Sequence, residues 1–315
     1  MSGGSILVIR GGAIGDFILT LPALAALRKQ FPRTRLEVLG YPQVASLAKL
    51  AGSANEVCSI EARALAGFFA RNGELDPALG RYFAGFNIII SYLYDPDEIF
   101  RKNVACCSKA QFHAGPHRPN ETEPVHATEV FLRPLERLAI FGAEAEPRLS
   151  LACSSRQLHA ATLAIHPGSG SEKKNWPEER WAELLRRVAA ETDWRILFVG
   201  GEAEGERLQR LASLLPVARA SAALHQPLPE LALRLANCDA FIGHDSGITH
   251  LAAAAGLRGL ALWGETNPAI WRPRSERFEL LRDERGLAQL EPDRVLTALR
   301  RLMNRATDET RIEQR

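Results

Sequence analysis

Short apolar runs that end in glycine turns recur along this chain, and the clearest lies at 240–250, AFIGHDSGITH. The run Ala240, Phe241, Ile242 predicts a buried strand, GHDSG a tight turn, and ITHLAAAAG a helix whose first amides Ser246 caps. A turn of this kind points free N–H groups and the positive end of a helix at whatever lies above the sheet, which suits phosphate. The same residues also fit an ordinary strand-to-helix turn, so the weight rests on what accompanies them.

A second glycine turn stands near the start of the chain. Residues 5–9 read as a short apolar strand and Arg10-Gly11-Gly12-Ala13-Ile14-Gly15-Asp16 as its exit turn. Ile14, Ile18, Leu21, Leu24 and Leu27 then recur at helical spacing. Strands at 36–39 and 56–60 flank a helix at 44–50. Further on, 87–91 (NIIIS) reads as a buried strand, 92–97 as its exit loop, 110–114 as a strand and 125–141 as a helix closing this half. Between them, 61–86 carries Leu65, Phe68 and Phe69 flanked by Arg63 and Arg71, a patch that reads as core packing or as a flap facing a lipid-like partner.

The pattern restarts at 163–166 with a polar glycine loop, PGSGSEKK, behind it. Asn175-Trp176-Pro177 opens a helix with Trp181, Leu184, Leu185 and Val188 on its apolar face. Strands follow at 195–199 and 259–263, and a last helix starts at Pro292. This alternation predicts the α/β class, as two Rossmann-like doubly wound domains. Their expected bounds are 1–150 and 158–303, with a frayed polar tail at 304–315.

Composition narrows the partners without naming one. At 315 residues, two domains of roughly 150 are the natural division. A net charge of +2 gives no reason to expect nucleic acid. Five cysteines without regular spacing point to a reducing compartment, and the sequence shows neither a signal peptide nor an apolar run of roughly 18–20 residues. A cytoplasmic protein is the expectation.

Four glycine-bearing loops leave strand ends in the second half, so they gather on one sheet edge. They offer backbone N–H groups, hydroxyls at Ser169, Ser171, Ser246, Thr249 and Thr266, and the cations Lys173 and Lys174, a cradle suited to a diphosphate. Glu202 or Glu204 is placed to accept hydrogen bonds from ribose hydroxyls. No GxxxxGK[ST] motif occurs, and the first turn lacks GxGxxG spacing and a ribose-binding acid after the second strand. Asp16 is either a helix-start acid or a base at the mouth of the first sheet. Asp95-Pro96-Asp97 has the form of a metal-binding DxD but no supporting ligands, and the Gly115-Pro116 pair between His113 and His117 excludes one helix face for zinc. No metal and no cofactor is expected. His166 and His244 end buried strands and read as satisfied core residues. An acid in one domain and a diphosphate cradle in the other, facing across a cleft, suggest glycosyl transfer.

The segments IRGGAIGDFILTLPAL, HPGSGSEKKNWP and FIGHDSGITHLAAAAG with WGETNPAIWRP resemble, in order and spacing, the signature segments of glycosyltransferase family 9. These are the ADP-heptose:lipopolysaccharide heptosyltransferases and their relatives. The resemblance implies a GT-B fold and an inverting, metal-independent transfer from a nucleotide-sugar donor held by the C-terminal domain. It places the general base at Asp16, a donor-phosphate ligand at Lys174 and hydroxyl ligands at Ser169 and Ser171. It also places the family's D[ST]GxxH element at Asp245, Ser246, Gly247 and His250, with Asp245 on the donor sugar, and a ribose-binding acid at Glu204. Acceptor-side cations fall at Arg101 or Lys102. The implied acceptor is a lipid-linked saccharide, which brings peripheral contact with the inner face of the cell membrane. The exit loop YDPDEIFRKN departs from the family's DLQGLxKS-like wording and leaves the acceptor open. The alternatives are a nucleotide-sugar epimerase or hydrolase of the same fold, or an inactive nucleotide-sugar-binding protein.

Overall fold

The apolar run near the start of the chain becomes the central strand of a five-stranded parallel sheet. Its strands are β1 (Ser5–Arg10), β2 (Arg35–Gly40), β3 (Glu56–Ser59), β4 (Ile88–Ser91) and β5 (Gln111–Ala114). They lie in the order β3-β2-β1-β4-β5, with Ile6 beside Leu36 on one side and Ile88 on the other. A strand covered on both faces is apolar almost throughout, and Ile6 to Ile9 are all buried. The computed structural model describes residues 4–151, 161–201 and 204–313. The chain divides into two units, Met1–Pro147 and Arg148–Arg315.

Within the first unit, the largely exposed region 61–86 sends a few apolar side chains into the core. Leu65 and Phe68 are fully buried, with Phe68 packed on Phe83 and Phe100, while Phe69 stays partly exposed on Phe100. The helix Pro77–Ala84 starts at Asp76, whose carboxylate accepts the Ala78 and Leu79 amides. The helix expected over 125–141 is shorter than its periodicity suggested. It runs Ala127–Leu132 and tightens into a 3₁₀ turn, Arg133–Leu138, because Pro134 has no N–H to continue the ladder.

The second unit contains β6 (Thr162–His166), β7 (Arg195–Gly200), β8 (Ala220–Leu224), β9 (Ala240–His244), β10 (Arg258–Leu262) and β11 (Phe278–Leu281). Their order is β11-β10-β9-β6-β7-β8, again parallel. Counted from its own first strand, this is the 3-2-1-4-5-6 order of dinucleotide-binding sheets, and the first unit is the same without its sixth strand. Chain direction across each sheet reverses beside the first strand, between β1 and β4 and between β6 and β9. Ligands of such sheets sit outside the carboxyl ends of strands at that switch point.

The helix Glu178–Glu191 buries Trp181, Leu184, Leu185 and Val188 in one core with Ile165, Ile242 and Leu299, as its apolar face predicted. Truncating Leu184 there would cost about 2–5 kcal/mol. The last helix runs Pro292–Glu313, so the backbone stays helical through most of the stretch where fraying was expected. Among the described residues no helix is long and apolar enough to cross a membrane.

Candidate functional sites

The loops leaving β6 and β9 carry most of the residues expected to hold a donor. His244 ends β9, fully buried, and organises both loops. Its Nε2 accepts the Trp176 amide at 2.9 Å, and its Nδ1 faces the Gly168 carbonyl at 3.4 Å. Those partners require a neutral ring with its proton on Nδ1. Burial, then repulsion from His166, pushes its pKa down to about 3. His166, at the end of β6, is buried and neutral by the same cause, with Nδ1 on the Val199 carbonyl at 2.9 Å. The loop between Gly168 and Trp176 is therefore pinned at both ends from the end of β9.

Inside that loop Ser169 Oγ donates to the Ser171 carbonyl at 2.7 Å and lies 3.3 Å from the Ser171 amide. A short 3₁₀ turn, Glu172–Lys174, follows and presents Lys174. Lys174 Nζ reaches Asp245 Oδ2 at 2.6 Å, which joins the β6 loop to the β9 turn across the switch point. The lysine side chain is 42% exposed and the aspartate 10%. Ser246 caps the helix Gly247–Ala254 by accepting the Thr249 amide, and the Thr249 hydroxyl returns to the His244 carbonyl. Gly247 heads that helix, and His250 is buried one turn in.

Glu204 stands before the helix Gly205–Ala212 and its Oε2 accepts the Gly201 amide at 2.8 Å. Its side chain lies so close to Gly168 that a Cβ there would collide with it, so the two loops beside β6 meet only because position 168 is glycine. Glu202, the other acid considered for ribose, lies outside the described residues. Trp263 is fully buried and donates its indole N–H to the Thr266 carbonyl, so it holds its own exit loop.

In the first unit Asp16 sits in the first turn of the helix Ile14–Ile18, and its Oδ2 accepts the Ala13 amide at 3.2 Å. Gly12 makes the approach possible: its φ is +101°, and a Cβ would sit 3.1 Å from the carboxylate. The side chain keeps 24% exposure. Arg10 lies behind it, 2% exposed, with Nη2 3.8 Å from Asp16 Oδ1. Nη2 also donates to the Asp16 carbonyl at 3.2 Å, and Nη1 to the His117 carbonyl at 2.9 Å. The guanidinium stacks 4.4 Å from the Phe131 ring centroid. Burial lowers its pKa from the ordinary arginine value. The buried guanidinium behind it and the Ala13 amide beside it fix the direction in which the half-open carboxylate points.

Arg101 pairs with Glu98 at 2.7 Å, and Lys102 Nζ donates to the Asp97 carbonyl at 3.2 Å. Both acids of the DxD-like pair have protein partners. Asp95 accepts the Phe100 and Arg101 amides, and Asp97 pairs with Arg71 at 2.9 Å.

Two parallel-sheet units of Rossmann order, one with a partly exposed carboxylate and one with a lysine and a capped helix start at its switch point, have the architecture of GT-B glycosyltransferases. The model of glycosyltransferase family 9 (heptosyltransferase) matches residues 139–296, half of the chain, and the protein belongs to that family. Lipopolysaccharide heptosyltransferase 1 of Pseudomonas aeruginosa is 42% identical over 112 residues, 35% of this chain and 31% of that protein. A glycosyl transferase family 9 structure from Veillonella parvula superposes with a TM-score of 0.78 at 19% identity, over 97% of this chain and 98% of that one. The E. coli ADP-heptose lps heptosyltransferase II does so with 0.76 at 17%, over 96% and 99%. These likenesses cover both units.

One residue of evident importance was not singled out from sequence: Arg10, whose visible signal was a charge closing a buried apolar strand. His244 was read as a satisfied core residue and is one, but its two partners, 68 and 76 residues away in the chain, left no local pattern.

Proposed function

We propose that the protein moves an aldoheptose from ADP-heptose onto a lipid-linked saccharide of the lipopolysaccharide core type, with inversion at the anomeric carbon and without a metal ion. The observation that supports this best is the Lys174–Asp245 bridge over the switch point of the second sheet, in a chain of family 9. The diphosphate is assigned to Lys174, the Ser169 and Ser171 loop, and the helix start at Ser246, Gly247 and His250. The ribose is assigned to Glu204 and the donor sugar to Asp245.

Asp16 removes the proton from an acceptor hydroxyl as that oxygen attacks the anomeric carbon from the face opposite the diphosphate. The bond from the anomeric carbon to the phosphate oxygen breaks, ADP leaves with the electron pair, and the proton stays on Asp16. The charge that builds on the leaving diphosphate is met by Lys174 and by the positive end of the helix Gly247–Ala254. The lipid-linked acceptor brings the protein to the inner face of the membrane as a peripheral contact.

The test is turnover of ADP-heptose with a core saccharide acceptor, in EDTA, with the anomeric configuration of the product read by NMR. The expected product is inverted relative to the donor and forms at the same rate with chelator. Retention of configuration, or a requirement for a divalent ion, would overturn the mechanism. ADP release that does not depend on acceptor would mark a hydrolase instead.

A further inference from the structure

The exit loops of β4 and β5 enclose a cavity of about 220 Å³ that the donor residues do not touch. We propose that it seats a neutral, hydroxyl-rich pyranose ring of the acceptor. This rests on the glycosyl-transfer reading and names the sugar class which that reading leaves open.

Position is the first argument. His117 lines the cavity, and its carbonyl is held by the Arg10 guanidinium that also holds the Asp16 carbonyl. The cavity therefore lies at the carboxyl ends of β4 and β5, on the far side of His117 from the arginine that stands behind the carboxylate assigned as base.

Size and surface come next. Drug-sized ligands occupy roughly 300–1,000 Å³, so this volume suits a single ring. Tyr94 is 71% exposed, far more than an aromatic side chain needs for packing, and its ring stands 4.6 Å from that of His117. With Phe112 and Pro116 they offer apolar faces to the C–H side of a pyranose. Glu98 and Arg101, 2.7 Å apart on the rim, supply an acceptor and a donor for adjacent hydroxyls.

Charge decides between neutral and acidic sugars. Glu98 and Arg101 offset one another as a pair, and Asp95 is left as one net negative charge in the lining. His117 adds no cation at neutral pH, since burial and then Arg118 and Arg10 lower its pKa from the ordinary value. A carboxylated or phosphorylated ring would meet a lining whose net charge has its own sign.

The experiment is saturation-transfer NMR on the full-length protein with methyl α-D-glucopyranoside, methyl α-D-mannopyranoside and methyl α-D-glucuronide. A neutral glycoside is expected to bind, with the glucuronide about tenfold weaker. Tyr94→Ala should weaken the neutral glycoside about tenfold, and Tyr94→Phe should retain it. Tyr94 is exposed, so neither change disturbs the core. Glu98→Gln should improve the glucuronide. Equal binding of a neutral glycoside to Tyr94→Ala and wild type, or preference for the glucuronide, would overturn the assignment. Displacement by ADP-heptose would give the cavity to the donor sugar and overturn it as well. Transfer from ADP-heptose is followed on the same samples. Transfer with no Tyr94-dependent glycoside binding sinks the cavity alone, whereas Tyr94-dependent binding without transfer from any nucleotide sugar sinks the transferase reading.

Discussion

The two sheets share a strand order, yet the turns at their switch points have been filled in opposite ways. After β1 the first helical turn is occupied by its own acid: the Ala13 amide is bonded to Asp16, and a buried arginine stands behind. After β9 the capping hydroxyl of Ser246 engages an amide one turn in, and the nearest charges are a lysine and an aspartate from different loops. The anchors differ in the same sense. Arg10 is a buried charge satisfied by carbonyls and aromatic faces, while His244 is a buried ring that works only when neutral. A common topology therefore sets where a ligand of such sheets would sit, and on the proposed reading the residues of the first turn decide whether that place holds a base or an anion.

The sharpest break in this comparison is Asp16→Asn. The amide oxygen can still take the Ala13 N–H, so the turn should persist while the base is lost. Transfer is expected to fall by about 10²–10⁴-fold with ADP-heptose affinity unchanged. Steady-state transfer alongside donor titration by calorimetry reads both. Transfer at the wild-type rate would remove the base from the first unit and with it the division of labour.

Next in size is the acid sensitivity of the His244 anchor. Its folded pKa of about 3 lies below the ordinary 6.5, so the unfolded chain takes up the proton first. The stability it contributes is fully present above pH 6.5 and is lost as pH falls from there toward about 3. At pH 4.5 the loss amounts to about 3 kcal/mol. His166, lowered by the same burial, acts in the same direction. Urea unfolding at pH 7.5 and 4.5 should show His244→Gln less stable than wild type at the higher pH but losing about 3 kcal/mol less on acidification. Equal losses in the two proteins would mean that His244 is not the group being protonated. The Arg10 anchor stays charged throughout this range, so the first unit has no matching contribution from it.

Legibility in the sequence followed the same division between local and distant causes. β1, β6 and β9 were readable because a strand covered on both faces is a continuous apolar run closed by glycine. β8, read as ASAAL, was not, since alanine and serine carry little strand preference and its pairing with β7 is what makes it a strand. β11 is a four-residue edge strand, too short to show a period. Asp16, Lys174 and Ser246 were legible because their neighbours in the chain make their settings. The partnership of Lys174 with Asp245, 71 residues apart, and the carbonyls and rings around Arg10 come from tertiary packing and leave no local pattern.

Lys174→Ala tests the anion side of the comparison more gently. Removing one charge-assisted contact to phosphate should weaken ADP-heptose binding by about 1.5–3 kcal/mol, roughly 10- to 150-fold. Thermal stability should change little, because the side chain is 42% exposed. An unchanged donor affinity would take Lys174 out of the site and leave the helix start as the anion seat.

Asp245→Asn has the smallest expected effect and separates two roles of one bridge. Without ligand, Asp245 answers the Lys174 charge at 2.6 Å, so an incoming diphosphate competes with a carboxylate for the same ammonium. Removing that carboxylate should tighten binding of plain ADP. The pair is partly exposed, and such pairs are worth about 0.2–1 kcal/mol, so the gain is at most about fivefold. ADP-heptose should not share the gain, because the intact donor loses the carboxylate assigned to its sugar. The ratio of donor to ADP affinity, from parallel titrations of wild type and variant, is therefore the quantity to follow, and it should fall. A variant in which both ligands tighten equally would show that Asp245 only restrains Lys174, and the sugar would need another partner at the end of β9.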